Sequence, residues 1–211
     1  IVLGRLVVSG NAAATAANIL AHERLFRVGF ASSLLGVVFH IAWIVLFYDL
    51  FKPVSRRLAL LAAFVGLVTC AMQAVTALLY LTPLLVLQGG SSLGAFTTEQ
   101  LQALAMMALK WNGLAFDVDL VFFGFWCILT GYLIFRSAFL PRILGVLLAI
   151  DGLGWVLYMS PPLGVHLFPF IAAASALAEF PLQLWLIVKG VNIYPNAIKE
   201  AVSQFYPRTT G

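Results

Sequence analysis

Five long apolar windows dominate the 211-residue chain. They run from about Val28 to Tyr48, Leu58 to Leu81, Gly113 to Phe135, Ile143 to Met159 and Leu163 to Val188. A hydrocarbon core about 30 Å thick needs roughly 20 apolar residues per helix, within a range of about 17–25. Transmembrane barrels instead use roughly ten-residue segments of alternating polarity. The sequence therefore predicts an all-α, polytopic transmembrane helix bundle, with residues 1–211 forming a single integral-membrane domain.

The composition excludes other classes of protein. Hydrophobic residues make up 63% of the chain and charged residues only 9%, against about 25% charged in an average soluble domain. The 12 basic residues are spread along the chain, which argues against nucleic acid as a partner. The expected partners are the lipid bilayer and either other membrane subunits or a second copy of the chain. The sequence leaves the cofactor undetermined.

The basic residues predict an orientation, because short cytoplasmic loops are enriched in Lys and Arg. One side carries Lys52, Arg56, Arg57, Arg136, Arg142, Lys189, Lys199 and Arg208, and the other carries Arg5, Arg24, Arg27 and Lys110. We therefore expect a cytoplasmic tail over residues 189–211 and an outer N-terminal segment over residues 1–27. With five spans in this chain, an outer N-terminal segment predicts a sixth span before Ile1.

Two outer segments are predicted to be amphipathic helices that lie on the membrane surface. Thr97 and Gln100 have the spacing of a capping box, and apolar residues then recur at helical spacing as far as Lys110. The other segment, residues 11–27, is rich in Ala, with Asn11 as a candidate N-cap.

Four stretches of the chain carry a family resemblance. They are AAATAANILAHERLFRVGFASSLLG (residues 12–36), KPVSRRLALLAAF (52–64), VFFGFWCILTGYLIFRSAFLPRILGVLL (121–148) and LWLIVKGVN (184–192). From about Asn11 to Asn192 the chain resembles a family of bacterial polytopic membrane proteins described as a domain of unknown function, DUF4386. The resemblance implies a multi-pass protein of the bacterial inner membrane with one more helix before residue 1. It implies no established activity, and His40 departs from the acidic residue common at its position in the family.

Ionisable residues at membrane depth are the main candidates for function. Burying one costs at least about 2.5 kcal/mol, so such residues are functional candidates by default. The spans contain His40, Asp117, Asp119, Asp151 and Glu179, but their cores contain no Lys or Arg. Buried carboxylates without a basic partner favour the neutral form, which makes Glu179 and Asp151 candidate proton carriers or hydrogen-bond donors. At about 1.5 Å per residue, His40, Asp151 and Glu179 all approach the midplane.

Helical spacing places these groups on polar faces. His40 shares a face with Ser33, Gly36 and Trp43; Gln73 with Thr69, Thr76 and Tyr80; Asp151 with Gly154, Trp155 and Tyr158; and Glu179 with Ser175 and Gln183. Asp117 and Asp119 lie about 200° apart, with Asp117 on a possible packing seam of Gly113, Gly124 and Gly131. The candidate ligand- or proton-binding residues are Glu179, Asp151, His40, Gln73, Gln183 and Asp119. Polar stripes of this kind also serve helix association in lipid.

Three motifs typical of enzymes are absent from the sequence. It contains no H-E-x-x-H, G-x-S-x-G or P-loop pattern, which disfavours the enzyme classes that use them. Two non-enzymatic interpretations are favoured: a small-molecule or proton-linked binding and transport protein, in which the candidate residues surround one internal cavity, and an accessory or scaffold subunit of a larger membrane complex. A remote alternative is a metal-dependent intramembrane enzyme that uses His40, Asp151 and Glu179.

Overall fold

Helices account for all the regular structure in the described part of the chain, residues 2–90 and 93–191 of a computed structural model. In chain order they are α1 (Val2–Leu6), α2 (Ala12–Ala21), α3 (Glu23–Phe51), α4 (Arg56–Gln88), α5 (Thr98–Arg136), α6 (Arg142–Val156) and α7 (Pro161–Val188), with a short 3-10 helix, Leu157–Met159, after α6. Five are long and apolar enough to cross a membrane: α3, α4, α5, α7, and α6 together with the 3-10 helix. The predicted polytopic helix bundle is therefore confirmed, and the chain is a multi-pass membrane protein.

The second predicted surface helix does not form a separate element, so that prediction is wrong. Its capping box forms, because the backbone N–H of Gln100 donates to Thr97 Oγ1 over 3.3 Å and that of Thr97 donates to Gln100 Oε1 over 2.9 Å. The helix then continues past Lys110 into the third span and reaches 39 residues. Gly113 weakens a helix interior by only about 1 kcal/mol, which is too little to end a helix that packs along its length.

The first predicted surface segment divides into two helices. Asn11 caps α2 as predicted, because its side chain accepts the Ala14 N–H over 2.9 Å, but α2 ends at Ala21 and α3 begins two residues later. α2 packs against α4 and α5. A small core forms around it from Leu6, Ile19, Phe26, Tyr80 and Leu84. Together α1 and α2 cover one end of the bundle, called here the capped end.

The long helices form a row in chain order. α3 packs on α4, α4 on α5, α5 on α6 and α6 on α7. Since the connections are short, neighbouring helices run antiparallel. The end opposite the capped end is called here the basic end. It carries Lys52, Arg56, Arg57, Arg136, Arg142 and Lys189. α3 and α7 are thus the two edges of the row.

Four glycines allow α5 and α6 to approach closely. A Cβ atom added at Gly124 would lie 2.6 Å from the Gly152 carbonyl oxygen, and one at Gly131 would lie 2.6 Å from that of Gly145. Small residues permit this backbone approach in lipid, where van der Waals packing is a main force between helices. The predicted glycine seam is confirmed for Gly124 and Gly131, whereas Gly113 faces open space.

Replacing Gly131 with Leu tests the seam. The new side chain has no room between α5 and α6, and overpacking typically costs about 1–3 kcal/mol, so we expect a lower free energy of unfolding and a lower melting temperature in detergent. Gly36→Leu is the matched control, because a Cβ atom there meets nothing within 4 Å. Equal melting temperatures for the two variants would show that the glycines do not limit this contact.

Candidate functional site

A first cavity of about 840 Å³ lies among α3, α4 and α5. Its polar lining includes Ser33, His40, Gln73, Thr76, Asn112 and Asp119. It extends from His40 towards the capped end, where Leu25 and Tyr80 line it. Its volume falls within the range of about 300–1,000 Å³ typical of small-molecule sites.

His40, Gln73 and Asp119 form a polar cluster in the first cavity, one residue from each helix. His40 Nδ1 lies 3.1 Å from Gln73 Oε1. An amide oxygen only accepts hydrogen bonds, so Nδ1 is the donor in this contact. Gln73 also interacts with the Asp119 carboxylate. Asp119 is only 3% exposed, and its Oδ1 has no hydrogen-bond partner among the described residues.

A second cavity of about 450 Å³ lies on the other side of His40, towards the basic end. α3, α5, α6 and α7 supply its lining, which includes His40, Trp43, Phe123, Trp126, Glu179 and Gln183. Phe39 and Ile187 also line it and are 66% and 81% exposed. The second cavity therefore opens sideways between α3 and α7, and His40 belongs to both cavities.

Two acidic residues lie near each other at the second cavity. Glu179 lines it, and Asp151 lies outside its lining. Glu179 is half-buried, and its Oε1 accepts a hydrogen bond of 2.8 Å from the Ser175 hydroxyl one turn earlier. Asp151 is fully buried, and the side chains of Ser175, Cys127 and Trp155 interact with its carboxylate. Asp151 interacts electrostatically with Glu179 and lies beside Cys127. In their ionised forms the two carboxylates place negative potential on this side of the bundle.

The single cavity expected from the sequence is instead two cavities that meet at His40. Gln73 and Asp119 line the first, whereas Glu179 and Gln183 line the second. Asp151 lines neither cavity. Residues 2–90 and 93–191 contain no group of three His, Cys, Asp or Glu side chains able to hold a metal ion. The hypothetical metal set of His40, Asp151 and Glu179 is therefore not assembled.

Asp117 and Asp119 occupy different surroundings, as their angular separation predicts. Asp119 is buried in the first cavity, whereas Asp117 is half-buried and interacts electrostatically with Tyr158. This divergence follows from the helical repeat alone, because two residues two positions apart cannot face the same neighbour.

Sequence reasoning missed two structural parts of the site. The Asn112 side chain donates to the Thr76 carbonyl oxygen over 2.7 Å and so ties α5 to α4 beside the first cavity. Phe39 and Trp126 supply apolar walls of the second cavity. A signal for these walls exists in the sequence, because Phe39 and Trp43 are four residues apart and Phe123 and Trp126 are three apart.

A double-mutant cycle should detect the contact between His40 and Gln73. We expect the Ala substitutions at these positions to be coupled by about 0.6 kcal/mol, with about 1.7 kcal/mol as the upper bound for hydrogen bonds between membrane helices. Unfolding titrations in mixed micelles of detergent and denaturing surfactant measure this coupling energy. The control pair is His40 with Gln100, the N3 residue of the α5 capping box, and the effects of these two substitutions should be additive. Additivity in both pairs would contradict the contact.

The comparisons with known proteins agree with the resemblance seen in the sequence. A family model described as "Domain of unknown function (DUF4386)" matches residues 1–190. Comparisons with curated proteins and with solved structures found no match. Since the family model covers nearly the whole chain, the protein belongs to the DUF4386 family.

Proposed function

We propose that this protein binds a small molecule within the membrane and transports it in a proton-linked manner. One observation carries the proposal: His40 lines both cavities. The first cavity extends from His40 towards the capped end, and the second extends towards the basic end as far as Leu186 and Ile187. A ligand or proton that crosses between them passes one ionisable side chain.

The chemistry of His40 suits this position. An imidazole ring can take up a proton on one nitrogen and release one from the other. Asp119 lies on the first-cavity side and Glu179 on the second-cavity side. Intramembrane chains of Asp, Glu and His are typical of proton relays in pumps and transporters. In this mechanism His40 exchanges protons between the two cavities, and Gln73 holds the orientation of its ring.

A purely structural role explains the hydroxyl groups of α4 better than it explains the acids. Thr69 and Thr76 donate to backbone carbonyl oxygens of their own helix, over 3.3 and 2.9 Å. Asp119 Oδ1, by contrast, has no hydrogen-bond partner within the described residues. Leaving a buried acceptor unpaired costs about 1–3 kcal/mol. This cost supports a function that requires the Asp119 carboxylate.

Proton flux into proteoliposomes tests the proposal. With a pH-sensitive dye inside and a potassium diffusion potential imposed, we expect Asp119→Asn and Glu179→Gln each to slow proton entry at least tenfold, because an amide cannot exchange the proton. Glu99→Gln, in the exposed first turn of α5, is the control and should match the parent. If the folded parent conducts no protons, proton-linked transport is wrong.

We also propose that the protein lies in the bacterial inner membrane with its C-terminus in the cytoplasm. Six of the basic residues in the described ranges lie at the basic end, where α7 also ends. Positive residues near the ends of spans are retained on the cytoplasmic side. A C-terminal fusion to a fluorescent protein that folds only in the cytoplasm should fluoresce. A phosphatase that is active only in the periplasm, fused at the same point, should be inactive, and activity would contradict this orientation.

A further inference from the structure

We infer that the second cavity is a binding site for a lipophilic organic cation, such as a quaternary ammonium or phosphonium ion. This inference rests on the proposed function and names the chemical class of its ligand. Three features of the second cavity carry the inference: its aromatic walls, its charge and its sideways opening.

The walls of the second cavity are aromatic on two sides. Trp43 contributes from α3, and Phe123 and Trp126 contribute from α5. The rings of Phe123 and Trp126 are nearly parallel, with centroids 5.9 Å apart. Aromatic faces carry negative electrostatic potential, and Trp is the strongest of them in attracting cations. Such walls bind a cation without requiring it to retain a water shell.

The charged groups of the second cavity favour a positive ligand. Its ionisable lining residues are Glu179 and His40, and the lining that the structure describes contains no Lys or Arg. One oxygen of Glu179 already accepts a hydrogen bond from Ser175. Asp151 adds a second carboxylate close by. A bound cation stabilises the ionised form of a nearby carboxylate, whereas a bound anion disfavours it.

The opening of the second cavity selects a lipophilic cation over an inorganic one. The exposed side chains of Phe39 and Ile187 place the opening among the apolar surfaces of α3 and α7, which face the hydrocarbon region. A ligand that enters here must partition into the bilayer first. Hydrated metal ions require several oxygen ligands, and the described residues hold no acidic or histidine cluster that could supply them.

Binding of tetraphenylphosphonium to the protein in nanodiscs of zwitterionic lipid tests the inference. Equilibrium dialysis measures the affinity, and empty nanodiscs correct for partitioning into lipid. We expect saturable binding of tetraphenylphosphonium and at least tenfold weaker binding of tetraphenylborate, an anion of nearly the same shape. Equal affinities for the two ions, or no saturable binding of the cation, would overturn the inference.

Two pairs of matched variants locate the site. Glu179→Gln should weaken tetraphenylphosphonium binding at least tenfold, and Glu99→Gln should leave it unchanged. Trp43→Leu should weaken it about fivefold through loss of the cation–π contact, whereas Trp111→Leu, which replaces a half-exposed ring outside the cavity lining, should not. Thermal melting of each variant checks folding. Unchanged binding in folded Glu179→Gln and Trp43→Leu would contradict the assigned site.

The outcomes separate this inference from the proposed function. Proton flux in the parent without tetraphenylphosphonium binding would overturn the ligand class and leave proton-linked transport standing. Saturable cation binding that depends on Glu179, without any proton flux, would support the site and contradict proton linkage.

Discussion

The close backbone contact between α5 and α6 is the constraint on which the site depends. Gly124 and Gly131 meet Gly152 and Gly145 so closely that α6 has a fixed rotation against α5. Asp151 directly precedes Gly152, which packs against Cys127. The rotation that brings the glycines into contact therefore also turns Asp151 into the protein interior. α7 packs on α6, so the placement of Glu179 beside Asp151 follows from the same contact.

The polar groups of the bundle fall into two kinds with different physical roles. Hydroxyl groups such as those of Thr69, Thr76 and Ser33 bond to carbonyl oxygens one turn back on their own helix, so they cross the membrane at little cost. His40 and Asp119 instead meet Gln73 of α4, so these two groups depend on contacts between helices. These groups line the cavities, and this is why the cavities, more than the polar stripes as a whole, indicate function.

The sequence was sufficient to predict the helices and their polar faces, because apolar length and the helical repeat are local properties. The same rule that paired Ser175 with Glu179 on one helix holds in the structure. Helix ends were harder to predict, because nothing in the sequence near Lys110 shows that a surface helix continues into a span. Contacts between helices could not be predicted from the sequence. His40 and Gln73 are 33 residues apart, and periodicity gives the face on which each lies without giving the neighbour that it meets. One expected cavity therefore became two.

The edges of the helical row have a further consequence. α3 is held by α4, and α7 is held by α6, while the second cavity separates the two edge helices. The described residues thus supply only part of the enclosure, and the open side lies among apolar surfaces that would face acyl chains in a bilayer. Because bilayer thickness affects helix tilt, the spacing of α3 and α7, and with it the width of this cavity, would depend on the membrane as well as on contacts within the bundle.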